Sequence, residues 1–444
     1  MKILIAGAGE VGSHLAKLLS HEQQDVTIID TDADHLAALD SNYNLLTVRG
    51  NPTAFSAIHD AGASDCDLFI AVTPFETNNI TACAIAKSFG AKRTVARIDN
   101  YEYMIRDHRE FFSRQGVNHL IYPEYFAARE IVSSLRRSWV RNWLEIHEGQ
   151  LIVVGVKIRD NSLIEGKALK EIGRDHRFFH ISAIKRNHET IIPRGNDIIR
   201  QGDIVYFTAT SEDIDAIRAI CGKKKSVIRK CLIMGGSRIA VRLYRLAGDA
   251  YKFKIIENDR DRCEWLAERC PNANIVHGDA RDIDLLLEEG ITEMDAFIAL
   301  SDSSEANILA CVTAKELGVR KTVAEVENTQ FISEAENLNV GTIINKKLLA
   351  SAQIFQIMLE ADSESPKFMA LADADVASIE ARPGSKITRA AVKDLKLSHD
   401  MTIAGLIRGG KGMLVTGDTR IEPGDNVVVF CLAGSIHKIE RLFT

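Results

Sequence analysis

The sequence predicts an α/β protein. It carries two doubly wound, Rossmann-type parallel-sheet domains, each followed by a small α+β domain, in a tandem duplication. Three observations lead there. Short continuous apolar runs alternate with segments of helical apolar spacing, the pattern of a parallel sheet covered on both faces. The apolar run 3–6 passes directly into Gly7-Ala8-Gly9-Glu10-Val11-Gly12. Near the middle of the chain Cys231-Leu232-Ile233-Met234 leads into Gly235-Gly236-Ser237-Arg238-Ile239-Ala240, a second and altered copy.

The first parallel-sheet domain is expected over 1–124. Its strands are 3–6, 26–30, 45–48, 68–72 and 94–98, with helical spacing over 13–19 and from His35 onward. A mixed apolar and basic helix over 125–143 reads as a crossover. The small α+β domain, 144–222, has strands at 151–158, 181–185, 190–192 and 204–208, punctuated by Gly195 and Gly202-Asp203. Gly222-Lys223-Lys224-Lys225-Ser226 then reads as a solvated hinge; contact with an anionic lipid or nucleotide is the alternative.

The plan repeats as a second parallel-sheet domain (228–350), a crossover helix and linker (351–367) and a second small domain (368–444). Glu257 answers Asp30, Gly278-Asp279 answers Gly50-Asn51, and Gly424-Asp425 answers Gly202-Asp203. A two-copy repeat of this length is a duplicated domain pair. A solenoid would repeat every 20–50 residues or so.

Composition narrows the function classes. The 444 residues suit roughly two to four domains, and the 46% hydrophobic content is ample for several cores. A net charge of −6 gives no electrostatic argument for nucleic acid. No apolar run reaches the roughly 20 residues of a bilayer span, and the N-terminus reads as a strand, so a cytosolic chain is expected. The 8 cysteines form no C-x-x-C pair, and Cys83 and Cys311 read as buried core thiols. No metal site and no catalytic residue is assigned.

The chemistry lies in the glycine-rich turns. Gly7 makes the sharp bend, Gly9 lets the backbone approach a pyrophosphate, and Gly12 lets helix pack closely on sheet. The following helix start offers unpaired N–H groups and a positive dipole end to phosphate, with Ala8, Glu10 and Val11 lining the turn. Asp30 ends the second strand, placed for a ribose diol; its charge favours NAD or an adenine nucleotide over NADP. Asp32 is a second candidate for that role. Thr73, Glu76 and Asn78 follow the fourth strand on the carboxyl edge. They read either as ligand contacts or as a capping box, with Thr73 as N-cap and Glu76 three residues on. Arg97 ends the fifth strand, facing phosphate or a carboxylate.

In the second copy Ser237 replaces the middle glycine and places a hydroxymethyl where pyrophosphate would lie. Glu257 keeps the ribose-type carboxylate, while Arg238 stands for Glu10 and Glu325 for Arg97. Gly235, Ser237, Arg238, Ile239, Glu257 and Asp279 are the candidate contacts there, not assumed to take the same ligand. Glu305-x-Asn307 is read as the counterpart of Glu76-x-Asn78.

Taken together, Gly7-x-Gly9-x-x-Gly12 with Asp30, the segment from Thr73 to Asn78, Glu305-x-Asn307 and the two Gly-Asp turns resemble the RCK (also called KTN) proteins. Within that family they resemble the peripheral subunit of Trk-type bacterial potassium uptake. The likeness spans the chain in four-part order. It implies a cytosolic regulator without a transmembrane segment, a homo-oligomeric ring (dimer or tetramer) docked on the inner face of the membrane through a potassium-translocating partner. NAD(H), ATP or ADP would bias its conformation. Ser237 departs from the family's second fingerprint. Two rival readings remain: an NAD-dependent oxidoreductase, and a nucleotide sensor acting on another protein.

Overall fold

A computed structural model describes residues 1–21, 24–187, 189–360, 367–371, 374–432, 442 and 443. The chain divides into two compact units, Met1–Ala127 with Asn345–Ala361, and Ala128–Ile344 with Asp362–Thr444.

The first unit alternates β1 (Lys2–Ala6), α1 (Glu10–His21), β2 (Asp25–Asp30), α2 (Ala33–Asp40), β3 (Leu46–Arg49), α3 (Phe55–Asp60), β4 (Leu68–Ala71), α4 (Glu76–Phe89), β5 (Arg93–Arg97), α5 (Arg106–Arg114) and β6 (His119–Ile121). The strands form one six-stranded parallel sheet in the order β3-β2-β1-β4-β5-β6. The order reverses between β1 and β4, so the carboxyl ends of these strands open the crevice used for ligands in such sheets. Alternate residues supply the two cores. Ile3, Ile5, Ile28, Ile70 and Val95 face one layer, and Leu4, Ala6, Ile29, Phe69 and Ala96 face the other.

Helix α6 (Pro123–Arg136) leads into the second unit. It stops short of the expected 143. Val140 N–H returns to the Arg137 carbonyl, Arg141 N–H donates to Gly155 O at 2.7 Å, and the chain enters a strand that the sequence reading missed, β7 (Asn142–Ile146). Trp143 and Leu144 pair with Val154 and Val153, so sheet pairing overrides the helical spacing. The first small domain continues with β8 (Leu151–Lys157), α7 (Leu169–Asp175), β9 (His180–Arg186), β10 (Glu189–Ile191), β11 (Ile204–Ala209) and α8 (Ile214–Ile220). Its antiparallel sheet runs β10-β9-β11-β8-β7.

The second parallel sheet comprises β12 (Lys230–Met234), α9 (Arg238–Ala247), β13 (Lys252–Glu257), α10 (Arg260–Arg269), β14 (Asn274–His277), α11 (Ile283–Glu288), β15 (Ala296–Ala299), α12 (Ser304–Glu316), β16 (Lys321–Glu325), α13 (Ile332–Asn337) and β17 (Thr342–Ile344). Its order, β14-β13-β12-β15-β16-β17, reproduces the first sheet strand for strand.

Helix α14 (Lys346–Glu360) follows, starting earlier than expected. It belongs to the first unit, where Ala350, Ile354, Ile357 and Met358 join the core of Leu15 and Leu19 on α1. Arg93 Nη1 donates to Ile357 O at 3.0 Å, and Lys347 pairs with Glu10.

The second small domain is β18 (Lys367–Leu371), β19 (Ala374–Glu380), β20 (Met401–Arg408), β21 (Lys411–Leu414) and β22 (Asn426–Leu432), in the order β18-β19-β22-β20-β21. Both small sheets share one core, with Leu151, Val153 and Tyr206 against Val376, Ala404 and Phe430. The two Gly-Asp turns have one structural role. Asp203 takes Arg186 bidentately at 2.9 and 2.7 Å, and Asp425 takes Arg408 at 2.8 and 2.7 Å.

Candidate functional site

The turn between β1 and α1 is built by its three glycines, each for a different reason. Gly7 has φ +111°, and a Cβ there would sit 3.0 Å from Thr73 N. At Gly12 a Cβ would fall 1.8 Å from Gly7 O, so helix and turn touch backbone to backbone. Gly9 differs: a Cβ would meet nothing within 4 Å. Its missing side chain serves no contact within the protein and leaves open the approach to the first turn of α1. The N–H groups of that turn have no intrahelical acceptors.

Asp30 closes the other side of the cleft. One carboxylate oxygen accepts Ala8 N–H at 2.5 Å and the other accepts Asp32 N–H at 2.9 Å. The strand-end acid thus holds the glycine turn in place. Asp32 is the N-cap of α2, accepting from Asp34 N and His35 N at 2.9 and 3.1 Å. The backbone hydrogen bond from His35 is the largest influence lowering its pKa.

Beyond β4 the arrangement departs from a capping box. Helix α4 begins at Glu76 with Phe75 at its N-cap and no side-chain cap. Thr73 lies two residues before that N-cap; its N–H and Oγ1 both donate to Asn79 Oδ1, at 2.8 and 2.7 Å. Asn79 Nδ2 donates in turn to the carbonyls of Thr73 and Arg97 at 3.0 and 2.9 Å. Fully buried, Asn79 stitches the ends of β4 and β5 together, a role the sequence reading overlooked. Glu76 Oε2 accepts the N–H groups of Asp99 and Asn100 at 2.8 and 2.9 Å, fixing the loop after β5. Arg97 bonds Thr73 O at 3.2 Å and Asp99 at 2.9 Å, so in this structure it faces a carboxylate. Asn78 is half-buried, Ala8 is buried against the core, Val11 packs on that core and Glu10 is exposed.

The second cleft repeats this framework with altered contents. Glu257 accepts Gly236 N–H at 2.6 Å and Asp259 N–H at 2.9 Å, as Asp30 does for Ala8 and Asp32. Gly235 has φ +91° against Leu300 and Ser301, matching Gly7. Asn307 bonds Ser301 and the Glu325 carbonyl as Asn79 bonds Thr73 and the Arg97 carbonyl. The true counterpart of Asn307 is therefore Asn79, and that of Glu76 is Ser304, whose Oγ accepts Glu327 N at 3.0 Å. The E-x-N correspondence was out of register by one residue, because polar spacing alone cannot tell a buried Asn from its half-buried neighbour.

At the position of Gly9, Ser237 carries a buried Oγ with no hydrogen-bond partner among the described residues. Arg262 Nε donates to Gly236 O at 2.7 Å and its guanidinium stacks on Trp265 at 3.8 Å. Arg238 is exposed, Ile239 is buried, and Glu325 is buried at 4% exposure. Asp279 is tied to Arg281 at 2.6 Å, the main influence lowering its pKa.

Cys83 and Cys311 are fully buried, as expected, and burial pushes the Cys311 thiol up to about 12. No helix among the described residues is long and apolar enough to cross a membrane.

Two duplicated, doubly wound domains with glycine-rich turns at their switch points define a tandem Rossmann-type fold class. Solved structures show the same architecture. The RCK domain of GsuK aligns with TM-score 0.60 at 14% identity, covering 100% of this chain and 94% of that one. The GsuK channel bound to NAD aligns with TM-score 0.60 at 14% identity, covering 100% and 78%. At that identity the likeness is one of fold.

Sequence comparison goes further. Residues 3–123 and 231–346 match the TrkA-N domain, and 153–222 and 376–444 match the TrkA-C domain. The Trk system potassium uptake protein TrkA of Vibrio alginolyticus is 30% identical, covering 100% of this chain and 98% of that protein. The TrkA homolog of Archaeoglobus fulgidus is 30% identical over 100% of both. The chain belongs to the TrkA family.

Proposed function

We propose that this chain is a nucleotide-sensing regulatory subunit of Trk-type potassium uptake. It acts at the cytoplasmic face of the membrane as a homo-oligomeric ring docked on a potassium-translocating partner. The observation that carries the reading is the open backbone at Gly9, beside a helix start and a strand-end carboxylate, in a chain whose relatives are named potassium uptake proteins. NAD(H) or ADP is the ligand class favoured, since GsuK structures include ones bound to NAD and to ADP. Asp30 sits where a 2′-phosphate would be repelled, which favours NAD over NADP.

The polar groups around the first cleft support regulation over catalysis. Asp30, Glu76, Arg97 and Asn79 each hold backbone segments that end on the crevice. A ligand that fastens these segments biases the chain by its different affinities for two arrangements, which is all that allostery requires. The second cleft has diverged: Ser237 carries a side chain where Gly9 has none, and Arg262 bonds the Gly236 carbonyl. We assign the sensing role to the first cleft.

Titration of NADH, NAD, ATP and ADP against wild type and Gly9→Val, beside potassium uptake in cells lacking the chain, tests this. Nucleotide binding lost in Gly9→Val, together with impaired uptake, is expected. Unchanged uptake and no association with a Trk-type membrane subunit would overturn the regulatory reading; turnover of NADH would favour an oxidoreductase.

A further inference from the structure

One hinge lysine, Lys223, meets a second group of cations inside the second unit. Arg141, just ahead of β7, donates to Asn339 Oδ1 at 2.6 Å and to the Gly341 carbonyl. Lys315, from the end of α12, donates to the Asn339 carbonyl, so two cations are anchored on one turn. That turn is held in left-handed backbone at Asn339 (φ 56°) and Gly341 (φ 123°). Lys157 ends β8, and Arg159 lies exposed just beyond it.

The linker is pinned beside them. Asn161 Nδ2 donates to Gly222 O at 2.8 Å, Leu163 N–H donates to Ile220 O at 2.8 Å, and Lys223 N–H donates to Arg218 O at 3.0 Å. The charges of Arg141, Arg159 and Lys157 act on Lys223 and Lys315 alike. The carboxylate that acts on this group is Glu336, and it already pairs with Lys185 at 2.8 Å.

Five cations with one carboxylate, Glu336, acting on only two of them, Arg141 and Lys157, are costly to hold together in a partly buried junction. Burial and mutual repulsion push the Lys223 and Lys315 ammonium groups down to about 8. Such an arrangement is relieved by a compact anion of high charge, with Arg forks and Lys point charges shared among its oxygens.

We propose that Arg141, Lys157, Arg159, Lys223 and Lys315 form a receptor for a polyphosphate-type oxyanion, separate from the Gly7–Gly12 cleft. The bound group is pyrophosphate itself or the triphosphate tail of a nucleotide. Because its members come from the first small domain, the linker and the second parallel-sheet domain, occupancy fastens the hinge. Release lets repulsion loosen it.

The test uses the full chain at constant ionic strength, titrated with pyrophosphate, tripolyphosphate, ATP and adenosine. The readouts are calorimetric binding and the melting temperature. Wild type is expected to bind pyrophosphate and tripolyphosphate and to melt several degrees higher with them. ATP acting likewise while adenosine does not would identify a nucleotide's tail as one source. The double variant Lys157→Gln/Lys223→Gln is expected to lose at least tenfold in pyrophosphate affinity, to melt higher than wild type without anion, and to bind NADH as wild type does.

Stabilisation matched by chloride at the same ionic strength would show screening alone and overturn the proposal. So would unchanged pyrophosphate binding by the double variant. Repeating the titration in Gly9→Val separates the two sites: NADH binding that survives there counts against the first-cleft reading, while pyrophosphate binding reports on the hinge.

Discussion

At the scale of single residues, the three glycines of one turn are expected to affect binding and folding differently. A Cβ at Gly9 meets no protein atom within 4 Å, so Gly9→Val is expected to melt within a few degrees of wild type while losing NADH affinity tenfold or more. Calorimetric titration and a thermal scan check both halves. Gly12→Ala drives a Cβ into Gly7 O and is expected to cost at least about 1–3 kcal/mol of stability, read from denaturant unfolding. Asn79→Ala strands the Arg97 carbonyl and the Thr73 N–H, while the Thr73 carbonyl keeps only Arg97. It is expected to destabilise the first unit by about 1–3 kcal/mol for each buried group left unpaired. The glycines and Asp30 were legible because their chemistry is local. Asn79 was not: its partners lie on two strands, and only burial distinguishes it from Asn78.

At the scale of elements, the informative cases are those where an apolar face chose an unexpected partner. Helix α14 carries Ala350, Ile354, Ile357 and Met358 into the core beside α1, although it follows the second parallel sheet in sequence. The sequence reading gave a crossover helix here but not which domain buries it, since any complementary apolar groove satisfies a hydrophobic stripe. Ile354→Ala should therefore lower the stability of the first unit, by about 2–5 kcal/mol for a fully buried aliphatic. Proteolysis with fragment identification reads this directly: accelerated cleavage within 1–121 is expected, and cleavage confined to 230–344 would contradict the assignment. The strand β7 teaches the complementary lesson, because Asn142–Ile146 is strand only by pairing with β8.

At the scale of the whole chain, duplication has kept the framework and changed the electrostatics. Both parallel sheets keep one strand order, both carboxylates at the ends of β2 and β13 hold their turns, and both small sheets share one core. Inside the second unit, Lys321 is almost wholly buried, donating to Thr342 Oγ1 at 2.9 Å, and burial pushes it down to about 7. Its native pKa lies below the unfolded value, so above pH 7 the unfolded chain binds the extra proton. Stability therefore rises with pH from about 7, with Lys223 and Lys315 adding to the rise above about 8. The buried thiols act oppositely once unfolded cysteines ionise near pH 9. Denaturant unfolding between pH 6.5 and 8.5 should show the midpoint climbing in wild type. Lys321→Met should be more stable at pH 6.5 and climb less; an identical slope in both would refute this account.

The sequence by itself determined the alternation of strand and helix, the doubly wound order, the duplication and the position of the first cleft. Each follows from periodicity or from a glycine whose backbone has no alternative. Tertiary structure decided which domain receives α14, that Asn79 and Asn307 are the true pair, and that Asp30, expected to meet a ribose diol, holds the glycine turn. It also brought the linker lysine Lys223 into the field of Arg159, Arg141 and Lys157. Those outcomes depend on burial and on contacts between residues far apart in the chain, which spacing along a sequence does not encode.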